Sequence, residues 1–253
     1  MSSSTDHLTV LPPCEEDVGI VRQESSFVVV DKPTRLLTVP GRHPANRDSV
    51  IARLRETYPD VHAVHRLDFD TSGLLVIPLT KASLSNLSRQ FQARTVKKTY
   101  TAVVHGLVLE DQGVMEWPIA PDPERRPRSK ISEDGKPALT HYRVLSRNRE
   151  DNTTRLALSP VTGRSHQLRL HCAELGHPIL GCEFYAPESV RQQATRLLLH
   201  ASTLSFAHPE SGEAASFESV VPFYEPVHGS LVILRKAPLA SLVVSAIGAR
   251  RLA

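Results

Sequence analysis

The chain has 253 residues, 40% of them apolar, with a formal net charge of +3; this excludes a disordered polyampholyte and suits one large domain with short extensions. Near-neutral charge demands no nucleic-acid partner but leaves room for a local basic face. Three cysteines without paired spacing (Cys14, Cys172, Cys182), acidic residues through the first 25 positions, and a tail stretch at 237–249 broken by Pro238 predict a reduced, cytoplasmic chain with no leader and no membrane span.

Residues 1–19 are Ser- and then Pro-rich and read as a loose arm, which we extend to 1–25. The β-branched run Phe27–Val30 predicts a strand ended by Asp31-Lys32-Pro33. Asp48-Ser49 caps a predicted helix through Tyr58, with Val50, Ile51 and Leu54 on one side. A strand follows over Leu74–Pro78, and Leu84, Leu87 and Phe91 recur at helical spacing across 81–94. Strands are predicted at Tyr100–Val108, Leu139–Leu145 and Arg155–Val161, with a Pro- and Arg-rich loop at Asp122–Lys130. Residues 165–175 predict a helix capped by Ser165 and stopped by Gly176 and Pro178. Pro187 opens a short helix, and Leu197–Leu199 and Leu204–Phe206 read as strands. No βαβ alternation is present, so the expected class is α+β: a mixed, mainly antiparallel central sheet with flanking helices and loops. The expected division is a domain over 26–224 followed by an extension over 225–253.

The stretch His65-Arg66-Leu67-Asp68-Phe69-Asp70-Thr71-Ser72-Gly73-Leu74 sets polar groups between two apolar runs, where they cost stability unless bonded or functional. Asp68 reads either as a turn former or as a carboxylate nucleophile or base, which needs a cation nearby to stay ionised away from water. Arg169 supplies a candidate cation: it falls early in the predicted 165–175 helix, where the macrodipole disfavours positive charge. The alternative is an arginine paired with a surface glutamate. Tyr100 is a strand aromatic or a phenol set beside a planar substrate. Two basic groups, Arg94-Lys97-Lys98 and Arg125-Arg126-Arg128-Lys130, read as solvated faces singly and as a track for a phosphate backbone together. The histidines lack metal-ligand spacing, and no phosphate-cradling loop or nucleophile elbow occurs.

In combination these motifs resemble the RluA-type pseudouridine synthases. His65–Asp68 with Thr71–Leu74 matches the catalytic signature, and Asp31-Lys32-Pro33, Lys98-Thr99-Tyr100, Gly135–Ala138, Thr162–Arg169, Leu175–Gly181 and Leu198–Ala201 follow in family order over about 26–224. The likeness is greatest to the short members without an S4-type domain. It implies an isomerase that detaches uracil from C1′, rotates it and rejoins it through C5, with no cofactor and no metal. The partner implied is RNA, as stem-loops of 23S rRNA, the tRNA anticodon loop or both, bound by a monomer. By resemblance Asp68 is the essential carboxylate, Tyr100 stacks on the base and assists at C5, Arg169 pairs with Asp68, and Arg66 fills the gap left by the flipped uridine. Leu67 lines the site, and Arg164, Arg125, Arg126 and Arg128 are expected RNA contacts. Arg35 stands where many relatives carry Gly. Cys182 stands where they carry Asp, with one supporting hydrogen bond expected to be lost. Two other readings are a non-catalytic RNA-binding or RNA-folding module on the same scaffold, and a carboxylate nucleosidase needing a second acid such as Asp70.

Overall fold

The structure is a computed structural model that describes residues 9–223; the expected extension over 225–253 lies outside the described residues. At its centre β2 (Phe27–Lys32) pairs antiparallel with β3 (Ser72–Pro78), and every residue of both strands is buried. Alternation explains how. Val28, Val30, Leu75 and Ile77 face α1 (Val50–Leu54), joining Leu36, Val50, Ile51 and Leu54 in one cluster. Phe27, Val29, Leu74 and Val76 face α2 (Lys81–Gln92), joining Leu87 and Val96. A strand covered on both faces reads as a continuous apolar run, and each large side chain so buried contributes about 1.5–3 kcal/mol.

Around this pair the chain builds β4 (Lys97–His105), β5 (Gln112–Met115), β8 (Thr140–Asn148), β9 (Thr153–Pro160), β10 (Leu199–Ala207) and β11 (Ala214–Glu218), with β1 (Gly19–Gln23) at one edge. The nine-stranded sheet runs β1-β2-β3-β10-β4-β9-β8-β5, with β11 also on β10. Among its strand pairs only β3–β10 is parallel, giving the mixed, mainly antiparallel sheet that the sequence predicts. A separate hairpin, β6 (Ile119–Pro121) and β7 (Ser129–Ile131), closes the Arg-rich loop. It packs Ile119 and Ala138 on Leu170 of α3 (Gln167–Glu174). The short α4 (Glu188–Arg191) follows Pro187.

Several expectations are corrected. The region read as an arm contributes β1, paired with β2. The regular part of α1 ends at Leu54, and turn hydrogen bonds carry the chain on to Tyr58. Of the two strands expected at 197–199 and 204–206, Leu199 and the whole of the second fall in one strand, β10, and Leu197 and Leu198 precede it. A bulge between Ala201 and Thr203 absorbs the polar interruption, and Ser202 Oγ bonds Thr101 Oγ1 at 3.0 Å. Gly176 does end α3, with φ +88° and the paired bonds His177 N–H to Cys172 C=O and Gly176 N–H to Ala173 C=O.

Gly73 shows why the signature needs glycine. It has φ +114° and pairs with Ala201 where β3 meets β10, and a Cβ there would lie 2.4 Å from the Ala201 carbonyl oxygen. Gly73→Ala is expected to destabilise the fold by at least ~2 kcal/mol, read as a lower denaturation midpoint with unchanged slope.

Candidate active site

Asp68 sits in the loop between α1 and β3, and side chains from the segment after β2 fix that loop by its backbone. Thr38 Oγ1 donates to the Leu67 carbonyl at 3.0 Å and accepts from the Leu67 N–H at 3.1 Å. Lys32 Nζ, fully buried, donates to the carbonyls of Pro33, Leu36 and Phe69 at 2.9, 2.7 and 3.1 Å. Thr34 Oγ1 donates to the Asp70 carbonyl at 2.7 Å, and Thr71 N–H closes a turn on Asp68 C=O at 3.2 Å. Burial lowers the Lys32 ammonium to about 7, against the pull of Asp70 and Asp68. Its three donors are all used, which is how a lysine is tolerated there. Beyond the turn, Ser72 Oγ joins a buried chain: Arg196 Nη2 donates to it at 2.6 Å, and it bonds His200 Nδ1 at 2.8 Å. His200 Nε2 bonds Ser219 Oγ at 3.0 Å, which donates to Asp31 at 2.7 Å. With its backbone held at both ends, the loop can project the Asp68 carboxylate in one direction.

That carboxylate meets Arg169. The guanidinium, 1% exposed, lies 3.7 Å from Asp68 Oδ2 and 3.9 Å from Asp70 Oδ2. It stacks on Phe184 with 4.8 Å to the ring centroid, and Nε donates to Cys182 Sγ at 3.4 Å. The supporting bond expected to vanish with the Asp-to-Cys departure is therefore kept by a thiol. Arg169 Nη2 is buried and makes no hydrogen bond among the described residues. Asp70, which the sequence reading left in the turn, shares this cation.

The helix carrying Arg169 does not begin as expected. Ser165 is not its cap; His166 is, in the left-handed region at φ 57° with no side-chain cap. Gln167 organises the start instead, its Oε1 accepting from Thr162 Oγ1 at 2.8 Å and Arg164 N–H at 3.0 Å. His166 Nδ1 bonds Tyr185 Oη at 2.8 Å and its ring stacks on Phe184. Burial lowers its pKa, with Asp68 opposing and Arg169 adding, so a neutral imidazole flanks the ion pair.

Tyr100 enters from β4 and packs against two core clusters. Burial, and then the Asp68 charge, push its phenol well above the usual tyrosine range, so the hydroxyl stays protonated. His65 is structural. Its Nε2 accepts from Val76 N–H at 3.0 Å, its ring stacks on Phe91 at 4.4 Å, and burial, helped by Lys98, lowers it to about 3. The folded state thus refuses a proton that the unfolded state takes up below about 6.5, and stability is lost as pH falls from 6.5 towards 3. His65→Gln, which retains an acceptor, is expected to flatten this acid limb in urea titrations across that range.

These groups open on one cleft of about 1370 Å³. Arg66, Leu67, Asp68, Tyr100, Arg126, Arg164 and Arg169 all line it. Arg66 is exposed, while Leu67 is 7% exposed and belongs to the core beneath. Arg164 Nε is anchored on the Pro137 carbonyl at 3.1 Å. Arg125 and Arg128 are outside the lining: Arg125 pairs with Asp122 at 3.0 Å, and Arg128 stacks on Phe184 at 5.6 Å. The sequence reading missed Phe184, Tyr185 and His166 as a group. Their signal, an aromatic pair that brackets the arginine, emerges only when the segment after α3 folds back. Among the described residues no cluster of three His, Cys, Asp or Glu is placed to hold a metal, and no helix is long and apolar enough to cross a membrane.

The family of RNA pseudouridylate synthases matches residues 26–174. The dual-specificity RNA pseudouridine synthase RluA of Pasteurella multocida (strain Pm70) is 48% identical over 217 residues, 85% of this chain and 99% of its own length. The protein of the same name from Escherichia coli (strain K12) is 46% identical over 84% of this chain and 97% of its own. In structure, human RNA pseudouridylate synthase domain containing 1 superposes with a TM-score of 0.72 at 32% identity, covering 84% of this chain and 87% of its own. The signature loop, with Asp68, Tyr100 and Arg169, falls within the matched stretch, and this chain belongs to the RNA pseudouridylate synthases, isomerases of uridine in RNA.

Proposed function

We propose that this chain isomerises uridines in stem-loops of 23S rRNA, of the tRNA anticodon arm, or of both, acting in the cytoplasm as a monomer and without a cofactor. The observation that carries the reading is a partly exposed carboxylate, Asp68, beside a buried arginine, in a cleft lined by seven Lys and Arg and only three Asp and Glu. The basic excess favours a phosphate backbone, and the relatives' printed name, dual-specificity, supports more than one RNA class.

The chemistry follows from the placement. A uridine in a loop is extruded into the cleft, and Arg66 occupies the stack it leaves. Asp68, set beside the Arg169 guanidinium, acts at the ribose or base while the C1′–N1 bond breaks. Tyr100 gives the uracil a face to lie on during rotation. Burial and the Asp68 charge hold its phenol protonated while the base lies on it. Leu67 and the aromatic wall of Phe184 limit water, which would otherwise capture the ribose. Arg126 and Arg164 hold the flanking backbone, and Arg125 and Arg128 act from outside the lining.

Pseudouridine mapping of rRNA and tRNA, from cells with and without the protein, tests this. Loss of one or more modified positions in 23S rRNA, in tRNA anticodon arms or in both is expected. Identical maps, with RNA still bound by the purified protein, would favour the non-catalytic scaffold.

A further inference from the structure

Two arginines at the mouth of the cleft stand where the backbone calls for glycine. Arg35, in the connection after β2, has φ 56°, and Arg94, directly after α2, has φ 59°. At Arg94 the reason is plain. The helix closes with Thr95 N–H on Gln90 C=O at 3.1 Å and Arg94 N–H on Phe91 C=O at 3.2 Å, a termination whose left-handed position usually goes to Gly. A side chain there is strained by its Cβ, and a long polar one adds nothing to the turn. Both residues are exposed, so neither is kept for packing.

Their charges are also left uncompensated. The surface arginines Arg22, Arg53, Arg125, Arg147 and Arg191 each have a carboxylate within 3.0 Å. Among the described residues neither Arg35 nor Arg94 has an ion-pair partner, a state they share with Arg66, Arg126 and Arg164 of the same cleft; the left-handed backbone is what sets these two apart. Arg35 makes one long bond, Nη2 to the Thr195 carbonyl at 3.4 Å, and it also borders a smaller neighbouring cleft with Arg196 and Gln192. Both line the cleft that holds Asp68, though they come from different loops.

We propose that Arg35 and Arg94 are substrate-binding residues, two fixed guanidinium posts that grip phosphates of the RNA on either side of the extruded uridine. Of the three non-Gly residues held left-handed at this cleft, His166 is tied to Tyr185 and Phe184, whereas Arg35 and Arg94 each present an unpaired guanidinium, which fits bidentate capture of phosphate oxygens. The inference rests on the reading of the cleft as an RNA site, and it singles out one arginine from a basic group of the sequence, Arg94, and one that departs from the family motif, Arg35, as paired posts on one cleft.

The test uses the full chain and a fluorescein-labelled anticodon-arm stem-loop. Arg35→Gly and Arg94→Gly are each expected to melt no lower than wild type, because strain is relieved. Each is expected to bind the RNA roughly tenfold more weakly and to reduce the slope of log K against log salt by about 0.7–0.9. In turnover the loss falls on KM rather than kcat, and Arg→Lys at either position keeps the wild-type salt slope, because the charge remains, but binds more weakly than wild type, because the two-point contact is lost. Asn152→Gly is the control. Asn152 is also left-handed, at φ 51°, but lies outside the cleft, so its binding and salt slope stay at wild-type values. Glycine variants that bind with wild-type affinity and salt slope would overturn the proposal. Binding and turnover are scored separately. RNA bound without pseudouridine formed would count against the isomerase reading, while the binding comparison still decides the role of the two arginines.

Discussion

Asp68→Asn is expected to lower pseudouridine formation at least about 10⁴-fold, while the protein melts within a few degrees of wild type. The change is isosteric, and the bonds that hold the loop run through its backbone: Thr38 to Leu67, Lys32 to Phe69, Thr34 to Asp70. Arg169 keeps a second carboxylate, Asp70, at 3.9 Å. Only the charge and basicity of one oxygen pair are removed, so the effect falls on chemistry. Initial rates of tritium release, measured beside thermal melts, check both halves. A variant with substantial residual activity would transfer the chemical role to Asp70, the other carboxylate within reach of the same guanidinium.

Arg169 is the second position of large effect. Arg169→Ala strips the cation from two carboxylates and empties the space beneath Phe184 and Tyr185. Both aspartates are partly exposed and regain water, so the stability loss belongs near the lower end for broken buried pairs, about 2–3 kcal/mol. Arg169→Lys isolates the catalytic part. Lysine carries the charge but not the flat guanidinium that lies on Phe184, bonds Cys182 and spans both carboxylates. It is expected to fold with a modest loss in urea midpoint and to lose about 10²-fold in kcat, with KM little changed. Wild-type kcat in this variant would mean that any cation suffices. Loss in KM alone would mean that Arg169 serves binding rather than the reacting carboxylate.

How much of this was legible in the sequence varied with the physics of each element. α2 was, because Leu84, Leu87 and Phe91 recur at helical spacing; its capping box of Thr80 and Ser83 came only with the structure. β2 and β3 were, because strands buried on both faces leave unbroken apolar runs. β1 was not: four of the five residues in Gly19–Gln23 are exposed, so an edge strand there has almost no face to mark. β6 and β7 have three residues each and form only because the Arg-rich loop folds back on α3. The start of α3 was misplaced because Ser165 has the chemistry of a cap, while Gln167 does the work through bonds to Thr162 and Arg164. In the site, Asp68 and Arg169 announced themselves by breaking local rules, one as a charge between apolar runs and one as a cation early in a helix. Asp70 did not, because a turn explains an aspartate fully; its ion pair depends on a helix about a hundred residues away. Lys32 resembled an ordinary turn residue, since only the folded chain shows that its ammonium is buried against three carbonyls.

The central claim is that this cleft moves a uracil from N1 to C5 linkage without releasing it. The most direct measurement incubates the full-length protein with a stem-loop transcript carrying [5-³H]uridine, then quantifies tritium in water, pseudouridine in the RNA and free uracil together. The account predicts tritium and pseudouridine in equal amounts and no uracil. Free uracil in step with an abasic RNA, or RNA bound with no tritium released, would contradict it.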